Sequence, residues 1–574
     1  MRKYSNPTMS KQRIPLVIAI FVLLTFGVYA RLFYLQVYKH GNYQAIAAAQ
    51  HSFKDTIYAK RGQIFAYDTI SNTPSLLASN QSLDLLYINP KEIENKDAVV
   101  GKLVEILGMK KEEIEPKFDD KQVYVIVKHK LTGAESDRVT AANLKGVYLQ
   151  SENWRYYPEN TLASAILGFV SNEGDGNYGI EQYFNDILKG QDGYLNEETD
   201  AHGIKIAFGT NGSTPAVNGD DVYLTIDRYI QGKAEKTLEE TLKKYSADSG
   251  QIIVMDKTTG KILALANAPV FDPNKYTDVK DYSIFKNKAV TDLYEPGSVF
   301  KAVTLAAGED AGKITPDTTY TDTGSVVLNG NSIKNSDLKA HGLQNMSYVL
   351  AQSLNTGTTF VEQLLGKNLF YDYIKKFCFG EKTGIEFDGE ATGKVYEPDE
   401  LNDHGYATMS FGQSISMTAL QVVRAYAAIA NHGVMMKPYI IDKTVDAKGK
   451  VKQTTPTETR RVISEKAAAD MDTMLINVVE HGHGGQAKVA GYKIAGKTGT
   501  AQVVKADGTG YEDGQNIGTF VGYPVADDAN FVVLAKIDNP KGVQWAESTA
   551  APAVGTMLDY LLKYYQIPTT EKVQ

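Results

Sequence analysis

Cysteine is almost absent from the 574-residue chain: Cys378 stands alone, so neither an internal disulfide nor a cysteine-based metal site can form. Set among Lys376, Phe377 and Phe379, its thiol reads as a part-buried small hydrophobe. Excess positive charge is missing too. The 60 Lys and Arg against 68 Asp and Glu leave a formal charge of -8, with no basic stripe to track phosphates. The 35 tyrosines are scattered, not grouped with basic residues as a stacking platform requires, so nucleic acid is excluded as an expected partner. His481-Gly482-His483 offers two imidazoles but no third ligand nearby, and reads as a loop; no metal or organic cofactor is expected. Repeats and low-complexity tracts are lacking as well. With 43% hydrophobic and 22% charged residues, the chain is too apolar for general disorder and too long for one core, which implies two or more folded units.

Long hydrophobic runs are equally scarce, and the single one is informative. Ile14 to Ala30 carries no formal charge and reaches the lower end of the ~17 to 25 residues that a spanning helix needs. Arg2, Lys3, Lys11 and Arg13 precede it without an acid, so the positive-inside bias predicts a cytoplasmic N-terminus and an external remainder. Val28-Tyr29-Ala30 is a poor cleavage site, which favours a retained anchor over a signal peptide. Arg31 to Val37 and the alanines at 46–49 predict that the helix continues as an amphipathic stalk.

Beyond the stalk, short apolar runs alternate with charged helical stretches such as Lys110 to Lys117, without a catalytic pattern, and read as a mixed pedestal. Asn211 to Asp220 concentrates loop formers ahead of a strand-like Val222-Tyr223-Leu224-Thr225-Ile226, which puts a boundary near 215. Gln251 to Asp256 and Lys261 to Ala266 read as a hairpin, as do Gly522 to Pro524 and Phe531 to Ile537, while Thr418 to Ala430 and Glu465 to Val479 have helical periodicity. Strands framing helices predict an α+β fold with an antiparallel sheet covered by helices.

The chemistry lies in three short patterns, each with decoys. S-x-x-K occurs at Ser283, Ser298 and Ser336, but only Ser298-Val299-Phe300-Lys301 follows a Pro296-Gly297 turn and opens an apolar helical run. That places a hydroxyl at a helix N-terminus with Lys301 one turn on, an arrangement suited to a nucleophile with a neighbouring base and first-turn amides for an oxyanion. Ser283 and Ser336 read as surface positions. K-T-G occurs twice; Lys382-Thr383-Gly384 reads as a turn, whereas Lys497-Thr498-Gly499-Thr500 sits in a strand whose small residues let a substrate backbone lie alongside. Between them lies Ser353-Leu354-Asn355, flanked by helical pattern; a second S-x-N at Ser151 falls in the pedestal and out of order.

Taken in order, Ser298/Lys301, Ser353/Asn355 and Lys497-Thr498-Gly499 resemble the signature of penicillin-binding proteins and serine β-lactamases. Tyr294-Glu295-Pro296-Gly297, Ser410-Phe411-Gly412-Gln413 and Thr418-Ala419-Leu420-Gln421 narrow the resemblance to class B penicillin-binding proteins. So do Arg61-Gly62-Gln63-Ile64, Arg155-Tyr156-Tyr157-Pro158 and the stretch Tyr178 to Asn185 in the pedestal. The pattern departs after Ile64, where the family often has a D-R-x-G turn and this chain has Ala66-Tyr67-Asp68-Thr69-Ile70. Glu397 to Asn402 is similar to the deacylating loop of class A β-lactamases, but its spacing is off by one residue.

The resemblance implies a membrane-anchored D,D-transpeptidase that cross-links D-alanyl-D-alanine stem peptides and is acylated by β-lactams. Its expected parts are a cytoplasmic tail (1–13), a transmembrane helix (14–36), a non-catalytic dimerisation-type pedestal (37–215), a transpeptidase domain (216–565) and a tail (566–574). Ser298 is the implied nucleophile, Lys301 its base, Ser353 a proton relay and Asn355 an orienting group. Lys497, Thr498, Gly499 and Thr500 form the substrate-binding strand, with the backbone amides of Ser298 and Thr500 as the oxyanion hole. The same chemistry would serve a hydrolytic D,D-carboxypeptidase or lactamase, and a slow-acylating receptor or division scaffold is the reading from another class. The pedestal shows none of the acidic glycosyltransferase pattern of bifunctional relatives, so a membrane-embedded glycan polymerase is the expected partner.

Overall fold

A computed structural model describes residues 13–43, 52–119, 121–198, 212–505, 510–543 and 545–571, so the alanines at 46–49 lie outside the described residues. The chain divides into two compact units. The first comprises residues up to 59 together with 191–217. Its helix Arg13–Phe33 runs into a π-helical turn, Tyr34–Tyr38. The stretch Ile14–Tyr38 reaches a mean hydropathy of 2.3 in its most apolar window, and no residue of that window is buried in the protein, as in a helix made for lipid. The same unit holds a small antiparallel sheet of Ser52–Ile57, Gly193–Glu198 and Gly212–Thr214. Gly212 to Thr214, read from sequence as loop, is therefore a short strand; its pairing with Tyr194 to Asn196 overrides its weak local propensity.

The second unit is residues 60–190 and 218–574. Its first sheet has the order Val451–Gln453, Ile441–Val445, Asp221–Asp227, Ile64–Asp68, Thr73–Ile88 and Val125–Leu131, with Val147–Tyr156 also paired to Thr73–Ile88. Asp221–Asp227 runs parallel to Ile64–Asp68 and antiparallel to Ile441–Val445, so strands far apart in sequence share one ladder. Asp227 ties this sheet to the helix beyond it. One carboxylate oxygen caps that helix, Arg228–Tyr245, through the amides of Tyr229 (2.8 Å) and Ile230 (3.0 Å). The other accepts from the Thr69 amide at 2.8 Å.

The second sheet is antiparallel throughout and has five strands: β1 (Ser249–Asp256), β2 (Ile262–Ala268), β3 (Ile494–Val504), β4 (Tyr511–Pro524) and β5 (Phe531–Asp538), in the order β2-β1-β5-β4-β3. Side chains alternate along β1: Ile252 and Val254 join the core beneath the helices Arg228–Tyr245 and Ala550–Tyr564. Ile253 and Met255 face the larger core of the opposite side. That side holds the helices Lys301–Asp310, Ala419–Ala430 and Glu465–His481, the second of them buried over its whole length. Helices thus cover both faces, and β3 is left as an edge strand.

Buried charge organises the pedestal. Glu181, with no exposed side chain, takes Arg61 Nε at 2.7 Å on one oxygen and Arg155 Nε at 2.6 Å on the other. The Tyr157 hydroxyl adds a bond at 3.2 Å, and Asn185 receives Arg61 Nη1 at 3.0 Å. The two arginines hold the carboxyl below its usual range against the desolvation that would raise it. The three pedestal stretches that resemble the family thus meet at one ion triad. Glu181→Ala strands two buried guanidiniums and should destabilise the unit by about 3–5 kcal/mol. Denaturant unfolding checks this: a loss below 1 kcal/mol would mean that water already reaches the triad.

Candidate active site

Pro296 and Gly297 bend the chain into a 3-10 turn, Gly297–Phe300, that passes into the helix Lys301–Asp310. Gly297 has a φ of 59°, which favours glycine, and its amide donates to Gly412 O at 3.0 Å. A side chain at Gly412 would lie 2.2 Å from Gly297 O, so the Ser410-Phe411-Gly412-Gln413 stretch is a backbone cradle for the turn. On its other flank a Cβ at Gly499 would come within 2.8 Å of Pro296 O and 3.0 Å of the Val299 amide. The strand β3 therefore presses directly on the turn that carries half-buried Ser298. From below, the Tyr426 hydroxyl donates to Val299 O at 2.7 Å and Thr304 Oγ1 to Ser410 O at 2.7 Å.

Ser353 sits between the helices Met346–Ala351 and Asn355–Leu365 with a φ of 59°. Lys301 Nζ donates to its carbonyl oxygen (2.5 Å), its hydroxyl (3.1 Å) and Asn355 Oδ1 (2.7 Å). From the opposite side Lys497 Nζ reaches the same hydroxyl at 3.1 Å and Thr498 O at 3.0 Å. Asn355 is itself held by donating to Lys334 O at 2.8 Å. One hydroxyl thus stands between two amines.

Both lysines are fully buried, and among the described residues no carboxylate bonds either amine. Burial, and then the neighbouring Lys497, hold the Lys301 amine well below its ordinary range. Burial pushes Lys497 down to about 7, against a weaker opposing pull from Glu547. A pocket that disfavours ammonium keeps a neutral amine available near neutrality, which is the requirement for a lysine base.

The structure brings Lys301, Ser353, Asn355 and Lys497 into one hydrogen-bonded group, and places Gly499 and Thr500 against the turn of Ser298. It separates three of the decoys from this group, whereas Ser336, exposed as expected, lines a cavity together with Gln413 and Thr500. Ser283 donates both its amide and its hydroxyl to Asp281. The Thr383 and Gly384 amides wrap the Glu390 carboxylate at 2.6 and 3.1 Å. Ser151 lies in the strand Val147–Tyr156, bonded to Ser82. His481, read as loop, closes the last turn of Glu465–His481, where its ring lies at the negative end of the helix, and His483 lies 3.3 Å from Glu547.

A supporting pair, Glu295 and Tyr511, escaped the sequence reading. Glu295 accepts from the Ser414 amide at 2.8 Å and the Tyr511 hydroxyl at 2.9 Å, bracing the nucleophile turn between its cradle and β4; burial raises its carboxyl. Glu295 was visible as a flanking residue, but nothing in sequence joins it to a tyrosine 216 positions away.

The match to known proteins covers both halves. Residues 250–559, more than half of the chain, match the family described as penicillin binding protein transpeptidase domain, and residues 56–224 match the penicillin-binding protein dimerisation domain. Stage V sporulation protein D of Bacillus subtilis (strain 168) is 33% identical over 97% of this chain and 86% of its own length. The peptidoglycan D,D-transpeptidase FtsI homolog of Mesostigma viride is 27% identical over 94% and 93%. Among solved structures, penicillin binding protein 3 of Mycobacterium tuberculosis complexed with aztreonam superposes with a TM-score of 0.70 at 27% identity, covering 90% of this chain and 99% of that one. With this two-domain plan and the Ser353 hydroxyl held between two buried lysines, the chain belongs to the class B penicillin-binding proteins, the peptidoglycan D,D-transpeptidases.

Proposed function

We propose that Ser298 carries the acyl group in stem-peptide cross-linking, and the observation behind this is the Lys301–Ser353–Lys497 cluster beside its turn. Ser298 Oγ attacks the carbonyl of the penultimate D-alanine while its proton passes to neutral Lys301. The tetrahedral oxyanion is met by the amides of Ser298 and Thr500. Collapse breaks the peptide bond, and the leaving D-alanine nitrogen takes a proton delivered through Ser353. An amine from a neighbouring strand then attacks the ester, gives up its proton by the reverse route and restores Ser298. Asn355 orients Lys301 and the substrate amide. Lys497, Thr498 and Thr500 bind the terminal carboxylate, and Gly499 lets the strand lie flush against the nucleophile turn. Because β3 is an edge strand, the donor peptide adds to the sheet as a further strand. β-Lactams acylate the same serine, as the aztreonam complex of the similar mycobacterial protein supports.

The domain limits 37–215 and 216–565 describe a pedestal and a catalytic module, and 14–36 an anchor with the N-terminus cytoplasmic, as the charges at Arg2, Lys3, Lys11 and Arg13 support. A membrane-embedded glycan polymerase supplies the strands to be cross-linked, since the pedestal carries no glycosyltransferase pattern. Replacing residues 14–30 by an unrelated spanning helix should abolish polymerase co-purification and leave penicillin labelling intact. Unchanged co-purification would reduce the helix to a tether.

The function is tested by turnover of a D-alanyl-D-alanine peptide with and without an added amine: cross-linked product supports transfer, and water as the sole acceptor would make the enzyme a carboxypeptidase. Fluorescent penicillin should label the protein, Ser298→Ala should not label, and Lys301→Arg should acylate about two to four orders of magnitude more slowly, because guanidinium keeps its proton. Labelling lost in Ser283→Ala or Ser336→Ala but kept in Ser298→Ala would refute the assignment. The depressed lysines also have a stability sign. Unfolded, they titrate near ~10.4. Lys497 folds near 7, so between these values the unfolded state binds a proton that the folded state lacks. The penalty is complete below pH 7 and gone above about pH 10. Lys497→Met should therefore raise Tm at pH 7 by about 2–4 °C, with the gain fading toward pH 10. A lower Tm across that range would contradict the penalty.

A further inference from the structure

Lys301 Nζ donates to Asn355 Oδ1 at 2.7 Å, and Asn355 is itself turned by donating Nδ2 to Lys334 O at 2.8 Å. Both members of that second bond sit at element ends, Asn355 opening the helix Asn355–Leu365 and Lys334 closing the strand Asn331–Lys334. Regular hydrogen-bond ladders no longer fix position there. The strand pairs with Ser325–Leu328 in a two-stranded sheet of its own, and such a hairpin does not hold itself in place. Ile333 packs on Ala407 and Phe411, which seats one face of it. The other tie is a carboxylate.

Asp322, 2% exposed, ends the strand Thr319–Asp322 and accepts four hydrogen bonds. Oδ1 takes the Gly324 amide at 2.9 Å and the Thr356 hydroxyl at 2.8 Å. Oδ2 takes Asn335 Nδ2 at 2.8 Å and the His341 amide at 3.0 Å. None of these donors is a cation, so the grip depends on direction and each donor must stay where it is. Burial would raise the carboxyl, but the four donors hold it below its usual range. Asn335 Oδ1 closes the ring by accepting from the Thr356 amide at 3.2 Å. Thr356 follows Asn355 and Asn335 follows Lys334, so one carboxylate grips the neighbours of both members of the Asn355–Lys334 bond and fixes the distance between them.

Resting on the reading of Lys301 as the base for Ser298, we propose that Asp322, acting through Asn335 and Thr356, is the positioning residue that keeps Asn355 Oδ1 on Lys301 and so sets the rate of acylation. It touches neither substrate nor reacting atoms. Thr356→Val keeps the side-chain shape without the hydroxyl, and Thr356→Ser keeps the hydroxyl. Asp337→Ala is the control: Asp337 bonds the His341 ring at 2.9 Å and the Lys339 amide at 3.1 Å, so its loss loosens the same loop without touching Asp322. Acylation of the full-length protein by fluorescent penicillin is timed across a pH series, with Tm reporting that each variant folds. Asp322→Asn and Thr356→Val should acylate about 10- to 100-fold more slowly, Thr356→Ser should regain most of the rate, and Asp337→Ala should stay within about twofold of the parent. In the two slow variants the acid limb of the rate should also move to lower pH, because an amine that loses an oxygen acceptor holds its proton less firmly. Thr356→Val leaves Asp322 its other three donors and carries the test should Asp322→Asn fail to fold. Thr356→Val at the parental rate, a slow Asp337→Ala, or slow variants whose limb stays in place would overturn the proposal. Lys301→Arg run alongside separates the two readings. Near-parental acylation there would overturn the base assignment and this inference with it, whereas a slow Lys301→Arg beside a fast Thr356→Val would overturn this inference alone.

Discussion

Two lysine amines, sealed from water and sharing one serine hydroxyl, set the terms for the whole catalytic module. An ammonium placed there must surrender its hydration, and two of them repel, so the arrangement survives only inside a frame too rigid to let either side chain escape. The frame is supplied from three directions: the helix that begins at Lys301, the bend at Ser353 with its left-handed backbone, and the edge strand carrying Lys497. Each is anchored in the larger core on one face of the sheet, and a second core packs against the opposite face. The module is destabilised where it reacts and is supported by packing elsewhere, a division common to enzymes that need unusual protonation at neutral pH.

Small residues do for shape what the lysines do for charge. Gly412 and Gly499 meet the nucleophile turn at separations that leave no room for a methyl group, and Gly297 supplies its left-handed bend, so the serine is gripped by backbone on two sides. Backbone varies less in position than a long side chain, and a reacting atom needs placement within a few tenths of an ångström.

Much of this was legible in the sequence for physical reasons. The anchor announces itself by hydropathy, and β1, β2 and β5 by their apolar runs. Ser298 stood apart from Ser283 and Ser336 because a Pro-Gly turn before an apolar helical run is a local signal. Residues whose meaning is local were readable. What stayed hidden depends on partners distant in sequence: the brace from Glu295 to Tyr511, the clamp of Thr383 on Glu390, and the strand status of Gly212 to Thr214, which comes from a neighbour and not from its own propensity. The ion triad was half visible. Its members lie in stretches that resemble the family, yet nothing in those stretches says that Arg61, Arg155 and Glu181 touch.

The shared sheet limits how such a chain can be rearranged. Asp221–Asp227 lies between Ile64–Asp68 and Ile441–Val445, so hydrogen bonds from both halves of the sequence converge on one strand. A break at the apparent sequence seam near 215 would leave two raw strand edges, each a template for pairing with another molecule. Exchange of pedestals between relatives by recombination is then constrained to partners whose strand matches in register as well as in length. The two halves are free to drift in surface and loops, but along this ladder they must change together.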